Sequence, residues 1–222
     1  MQIGTFIDHT ILKPVTTIAD IEKLCIEAAE YNFAAVCVPP PFVKRCKQLL
    51  GPVKVKVATV VGFPFGYSAT ESKLAETVLA LVDGADEIDM VINLVALRMK
   101  DEAYLQNEVA LLTNAVHQKG KLIKVIIESG ILSDEEIITC CRLFAPLGID
   151  FMKTSTGYAE KGASVEAVQL MRKNLPLNVK IKASGGIRTY EFAKELIDAG
   201  AERLGCSASV AIVKGENGIS NY

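Results

Sequence analysis

Tryptophan is absent from this 222-residue chain, and histidine occurs only as His9 and His117. With no Trp, six Tyr and eight Phe, there is little from which to build base-stacking platforms for single-stranded nucleic acid. An excess of basic residues is missing too: 24 Lys and Arg stand against 26 Asp and Glu, the net charge is −2, and the pI is about 5.8. That balance excludes the basic stripe of a nucleic-acid partner. No run of 18 apolar residues exists, so no membrane span is expected. The opening Met1-Gln2-Ile3-Gly4-Thr5-Phe6 lacks a basic region followed by an apolar stretch, so no signal peptide is expected and the location is read as cytoplasmic. The six cysteines (Cys25, Cys37, Cys46, Cys140, Cys141 and Cys206) form no CxxC pair and read as reduced thiols. Two histidines without HxxH-type spacing give no metal site, and no cofactor is expected.

What is present is apolar and periodic. Half the residues are hydrophobic and 23% are charged, with the signs mixed. A closed α/β barrel takes about 250 residues, with a lower limit near 200, so the length suits one such domain. Eight short apolar runs read as buried parallel strands: 6–8, 35–38, 55–61, 87–92, 122–127, 151–154, 179–182 and 203–206. Between them lie helical spacings. Leu74, Val78 and Leu81 predict one apolar stripe; Leu105, Val109, Leu112 and Val116 predict another. Ser133-Asp134-Glu135-Glu136 reads as a capping box. Gly84, Gly120, Gly148 and Gly200 fall where helices should stop. Three of these stops recur as Asp83-Gly84-Ala85-Asp86, Leu147-Gly148-Ile149-Asp150 and Ala199-Gly200-Ala201-Glu202, each just before a strand. Repeated β/α units in this number predict a single (β/α)8 TIM barrel over residues 1–213, with 214–222 as a flexible tail. An open doubly wound sheet is the alternative that a strand count leaves open.

Barrel strands should be apolar, so the charged residues inside them carry the information. Asp89, Lys124, Lys153 and Lys182 stand out; Lys180 shares a strand face with Lys182 but suggests no role, and Lys56 reads as an edge residue. Taken singly, each is better read as half of a structural ion pair or as a snorkelling side chain. The loops that follow change the balance. Lys153 runs into Thr154-Ser155-Thr156-Gly157, Lys182 into Ala183-Ser184-Gly185-Gly186-Ile187, and the eighth strand into Gly205-Cys206-Ser207-Ala208-Ser209. Glycines admit an anion to backbone N–H groups and hydroxyls add donors, and the loops after the seventh and eighth strands are where such barrels bind phosphate. A phosphorylated small molecule is therefore the expected partner. Two lysines at neighbouring strand ends also suggest amine chemistry. Keeping a lysine neutral at pH 7 costs roughly 4.6 kcal/mol from its ordinary pKa. Burial and a second ammonium lower that pKa, while a carboxylate such as Asp89 keeps the second lysine charged. One lysine is then a nucleophile and the other a proton donor.

Asp8-His9-Thr10-Ile11-Leu12, Gly62-Phe63-Pro64-Phe65-Gly66, Glu87-Ile88-Asp89-Met90-Val91, Lys124-Val125-Ile126-Ile127-Glu128, Phe151-Met152-Lys153-Thr154-Ser155-Thr156-Gly157 and Lys182-Ala183-Ser184-Gly185-Gly186-Ile187 together resemble the deoxyribose-phosphate aldolase family. The matches run in order over almost the whole chain. The resemblance implies a class I aldolase that cleaves 2-deoxy-D-ribose 5-phosphate to acetaldehyde and D-glyceraldehyde 3-phosphate. It implies Lys153 as the Schiff-base lysine and Asp89 with Lys182 as the proton relay. It places Gly157, Gly185, Gly186, Gly205 and Ser207 at the phosphate, with Thr156 close by, and Asp8 and Thr10 at substrate hydroxyls. Cys37 and Lys124 fall near the pocket, and Tyr222 matches a C-terminal proton carrier. Tyr158 stands where some members carry a basic residue, Ala183-Ser184 replaces a Pro-Ala, and Ala208 sits where a second serine often follows Ser207.

Other readings remain at this point: a transaldolase-like Schiff-base enzyme, a barrel phosphosugar isomerase whose lysines act as clamps, and a non-catalytic phosphometabolite binder. Barrels of this size pair through their outer helices, but no patch in the sequence decides between monomer, dimer and tetramer.

Overall fold

In a computed structural model, residues 2–216 are described. Eight parallel strands close on themselves in chain order: β1 (Ile7–Thr10), β2 (Ala35–Val38), β3 (Lys56–Val61), β4 (Glu87–Val91), β5 (Leu122–Ile126), β6 (Phe151–Lys153), β7 (Lys180–Ser184) and β8 (Arg203–Cys206). The helices are α1 (Ile18–Glu30), α2 (Val43–Leu50), α3 (Thr70–Val82), α4 (Leu94–Arg98), α5 (Glu102–His117), α6 (Asp134–Phe144), α7 (Val165–Asn174), α8 (Tyr190–Asp198) and α9 (Ser209–Lys214). This is the (β/α)8 barrel expected from the alternation. Among the described residues no helix is long and apolar enough to cross a membrane.

β2 and β8 have the expected bounds, β3 to β6 are each one residue shorter, and β1 and β7 differ most. Phe6 closes a 3₁₀ turn and β1 runs on to Thr10, because Asp8 and His9 are buried although polar. Apolar runs alone could not show that. β7 extends to Ser184, whose Cα partner on β8 is Gly205, so Ala183 and Ser184 belong to the strand and not to the loop.

The helix caps follow the sequence. The Ser133–Glu136 capping box forms at α6, and a second, unanticipated one, Thr17–Asp20, opens α1. Gly84, Gly120, Gly148 and Gly200 all adopt positive φ, the left-handed geometry that ends a helix at least cost in glycine. In α5, Leu105, Val109, Leu112 and Val116 are all buried as predicted. α3 is different. Its buried face is Lys73, Thr77 and Ala80, while Val78 is 47% exposed and Leu74 and Leu81 are only partly covered. The cause is a buried ion pair: Lys73 Nζ lies 2.8 Å from the Val91 carbonyl and 2.7 Å from Glu108 Oε1 on α5. That pair turns the apolar stripe outward.

The recurring acid before a strand has a structural purpose at the N-terminal end of the barrel. Asp86 accepts the Val57 N–H at 3.1 Å and pairs with Lys47 and Lys121, each at 2.8 Å. Asp150 accepts the Ile123 N–H at 2.8 Å and meets His117 Nε2 at 2.8 Å. Each clasps the start of the preceding strand in the ring. Glu202 instead pairs with Arg172 at 3.6 Å.

Most of the core lies between sheet and helices. The barrel interior divides by strand. On the β2–β3 side it is apolar, with Ala35, Cys37, Ala58 and Val60 packed with Leu12 and Phe63. From β4 round to β1 it holds Glu87, Asp89, Lys124, Lys153, Lys182, Arg203 and Asp8. Phe151 sits near the N-terminal end of this charged half, with Lys180 Nζ 5.7 Å and Arg203 Cζ 5.4 Å from its ring centre. Lys180, which suggested no role in sequence, is a cation over that ring.

Candidate active site

Strand register brings the charged residues together. Lys153 ends β6 and is the Cα partner of Lys182 on β7; Asp89 on β4 is the partner of Lys124 on β5. Since neighbouring partners point to the same face of a sheet, all four side chains enter the barrel. Asp89 is their hub. Its Oδ2 accepts Lys153 Nζ at 2.8 Å and Lys182 Nζ at 2.7 Å, and its Oδ1 accepts Lys124 Nζ at 2.7 Å. Lys182 also donates to Asp8. Lys124 lies 2.5 Å from Glu87 Oε2. Arg203 joins Asp8 at 2.6 Å and Glu87 at 3.1 Å. All of these except Arg203 are buried.

Leaving Lys153 aside, formal charge balances: Asp8, Glu87 and Asp89 are offset by Lys124, Lys182 and Arg203. A protonated Lys153 would add a charge that this cluster of six leaves unbalanced, and its burial makes that costly. Accordingly the two lysines diverge. Burial, with help from the Lys182 ammonium, lowers the Lys153 pKa against the pull of Asp89. Burial opposes charge on Lys182 as well, but Asp8 and Asp89 outweigh it and raise its pKa. Asp89 moves well down: burial resists, but Lys124, Lys153 and Lys182 prevail. Burial pushes the Cys37 thiol up to about 11, with Asp89 adding to the rise, so Cys37 stays a protonated packing residue near neutral pH.

A cavity of about 300 Å³ opens above this cluster. Of the sequence-predicted residues, Thr10, Lys153, Thr156, Gly157, Gly185, Gly186, Gly205 and Ser207 line it. Asp8, Cys37, Asp89, Lys124 and Lys182 lie behind that wall, joined to it through Lys153 and the strand ends. Tyr222 lies outside the described residues. Glycine is required where the loops crowd. A Cβ on Gly205 would stand 2.8 Å from Ser184 Cβ and 3.2 Å from Lys182 Cε, and one on Gly162 would meet the Gly185 carbonyl oxygen at 2.3 Å.

Sequence reasoning passed over several members. Arg203 and Glu87 are charged residues inside strands, the same signal that flagged the lysines. Arg188 lines the cavity next to the Gly185-Gly186 turn, and its guanidinium has no ion pair among the described residues. It brings a cation to the cavity wall, which Tyr158 does not. Tyr158 instead donates its hydroxyl to the Leu12 carbonyl at 2.9 Å and sets its ring edge-on to Phe63 at 5.4 Å. Among the described residues no three His, Cys, Asp or Glu side chains gather as a metal site.

A model of the DeoC/LacD family of aldolases matches residues 4–218. The chain belongs to that family. Deoxyribose-phosphate aldolase of Caldicellulosiruptor saccharolyticus is 52% identical over 96% of this family member and 97% of its own length. The same-named protein of Thermococcus kodakarensis is 51% identical over 96% of both chains. Among solved structures, tetrameric deoxyribose phosphate aldolase from Aeropyrum pernix superimposes with a TM-score of 0.89 at 31% identity, covering 96% of this chain and 89% of that one.

Proposed function

We propose that this aldolase, a carbon–carbon lyase, cleaves 2-deoxy-D-ribose 5-phosphate reversibly to acetaldehyde and D-glyceraldehyde 3-phosphate through a Schiff base on Lys153. The observation that carries the reading is that Lys153 alone reaches from the buried charge cluster into the cavity, with its pKa depressed. The neutral amine attacks the C1 aldehyde of the open-chain sugar. The carbinolamine loses water to give an iminium. A proton leaves the C3 hydroxyl, the C2–C3 bond breaks, and its electron pair enters the iminium as an enamine. Glyceraldehyde 3-phosphate departs, C2 takes a proton, and water releases acetaldehyde and the free amine. Asp89 and Lys182, bonded at 2.7 Å, are the proposed proton relay. Thr10 and Asp8 are assigned to the sugar hydroxyls.

Gly157, Gly185, Gly186, Gly205 and Ser207 form the proposed phosphate end, where backbone N–H groups and the Arg188 guanidinium can meet the dianion. The fold family, the relatives' names and this end of the cavity favour aldol cleavage over isomerisation. A place in deoxyribonucleoside breakdown in the cytoplasm, and a dimeric or tetrameric form, belong to the same proposal.

The test is acetaldehyde release from deoxyribose 5-phosphate, with borohydride trapping in the presence of acetaldehyde. A two-carbon adduct on Lys153 is expected. Full activity with Lys153 unmodified would sink the mechanism. Activity should also survive EDTA, and loss that zinc restores would count against it.

A further inference from the structure

Glu128 is a buried acid that the chemistry above leaves unused. It follows β5 with φ 56° and ψ 55°, a left-handed backbone that a residue with a side chain seldom adopts. Neighbouring backbone bonds hold it there: the Ile127 N–H donates to the Lys153 carbonyl at 3.1 Å, and the Ser129 N–H to the Thr154 carbonyl at 2.7 Å. The side chain, 3% exposed, is turned toward the loop after β6. Both carboxylate oxygens accept the Thr156 N–H at 3.2 Å, and Oε2 also accepts the Thr156 hydroxyl. Thr156 Oγ1 in turn accepts the Tyr158 N–H at 3.0 Å. Strain of this kind gathers where a surrounding structure fixes a working geometry.

Charge gives the second argument. The cluster of Asp8, Glu87, Asp89, Lys124, Lys182 and Arg203 balances without Lys153. Glu128 is the further buried acid next to it: the residue before it bonds the Lys153 carbonyl, and its carboxylate holds Thr156, which lines the cavity together with Lys153. Burial raises the Glu128 pKa above the ordinary carboxylate value, and the Thr156 bonds and a positive Lys153 offset only part of that rise, so its charge is held more readily when Lys153 is a cation. An iminium on Lys153 carries a positive charge that the free neutral amine does not. With Glu128 ionised, a positive Lys153 is balanced, and the reaction needs that positive charge in the iminium.

We propose that Glu128 is a positioning residue: it fixes the Thr154–Gly157 loop through Thr156 and supplies the negative charge that compensates the Lys153 iminium. The proposal rests on the Schiff-base reading of Lys153. It assigns Glu128 to the covalent intermediate more than to substrate capture.

The test uses the full chain and its Glu128→Gln and Glu128→Asp variants. The fraction of Lys153 trapped by borohydride at subsaturating acetaldehyde is read by mass spectrometry, beside kcat and KM for deoxyribose 5-phosphate. Removing the charge while keeping the size should lower both the trapped fraction and kcat about tenfold, less than the roughly 10²- to 10³-fold cost of losing a donor in direct contact with the reacting atoms, with KM changed less than about threefold. Glu128→Asp keeps the charge and should trap within about threefold of the parent, with a raised KM. Equal trapping by Glu128→Gln and the parent would overturn the proposal, as would equal losses in both variants. If Glu128→Gln does not fold by circular dichroism, Glu128→Asp decides alone, and a tenfold loss there overturns it. A parent protein without any Lys153 adduct would sink the Schiff-base reading instead, which separates the two failures.

Discussion

Lys153 and Lys182 are partners across one strand boundary, yet their surroundings push the two amines in opposite directions. The difference lies in their carboxylates: Lys182 holds both Asp8 and Asp89, and Lys153 holds Asp89 only. Because the Lys153 pKa is lowered, its neutral, nucleophilic fraction grows as pH rises through a value below that of ordinary lysine. The rate of acetaldehyde adduct formation should therefore rise along a limb centred below 10.5, the ordinary lysine value. Lys182→Met removes an ammonium that depresses Lys153 and leaves Asp89 freer to pair with it. Both effects raise the Lys153 pKa, so the limb should move to higher pH. The loss of a proton-relay partner should cost about 10²- to 10⁴-fold in kcat. A limb that stays put or moves down would contradict the arrangement. Much of this was legible in sequence, because a lysine in an apolar strand followed by a hydroxyl- and glycine-rich loop is a local pattern. What was not legible was partnership. Asp8 with Arg203, and Glu128 with Thr156, are joined by barrel closure and loop return, over separations that no spacing rule reaches.

At the scale of elements, α3 shows where periodicity misleads. Hydrophobic spacing assumes that the buried face is the apolar one. In α3 the buried face carries Lys73, fully covered and bonded to Glu108 of α5, whose other oxygen accepts the Asn93 N–H at 2.9 Å. Burial, the larger influence on each, lowers the Lys73 pKa and raises that of Glu108; each partner pulls the other back toward charge. The pair ties α3 and α5 to the end of β4, the strand that holds Asp89. Lys73→Ala would strand Glu108 in the interior and should cost about 3–5 kcal/mol in urea unfolding. Adding Glu108→Leu should then cost less than it does in the parent background, by about 1 kcal/mol or more. Strict additivity would show that the two side chains act independently. α5 also buries a charge, Glu108, but that residue sits among Leu105, Val109, Leu112 and Val116 without displacing them, so the predicted stripe stays inward.

For the whole molecule, the barrel separates function from stability along its axis, and the sequence carries both in one recurring unit. Glycine-rich loops stand at the C-terminal strand ends around the cavity, and the acid of each helix-to-strand return stands at the opposite end. Asp86 is the clearest of these acids. Burial works against its charge, but Lys121, Lys47 and the Val57 N–H hold its pKa at about 2. A carboxyl depressed in the folded state contributes stability above its unfolded pKa, near 3.9, and loses it as pH falls through the folded value. Asp86→Asn should therefore lower stability by about 2 kcal/mol at pH 7. The gap between parent and variant should shrink below about pH 4 and nearly close by about pH 2. Because Asp86 lies at the far end of the barrel from Lys153, the adduct yield of the folded variant should match that of the parent. Thermal melts across that pH range, paired with trapping at pH 7, measure both parts. A stability gap unchanged at pH 2, or a trapping defect in folded Asp86→Asn, would show that the two ends of the barrel are not separable in this way.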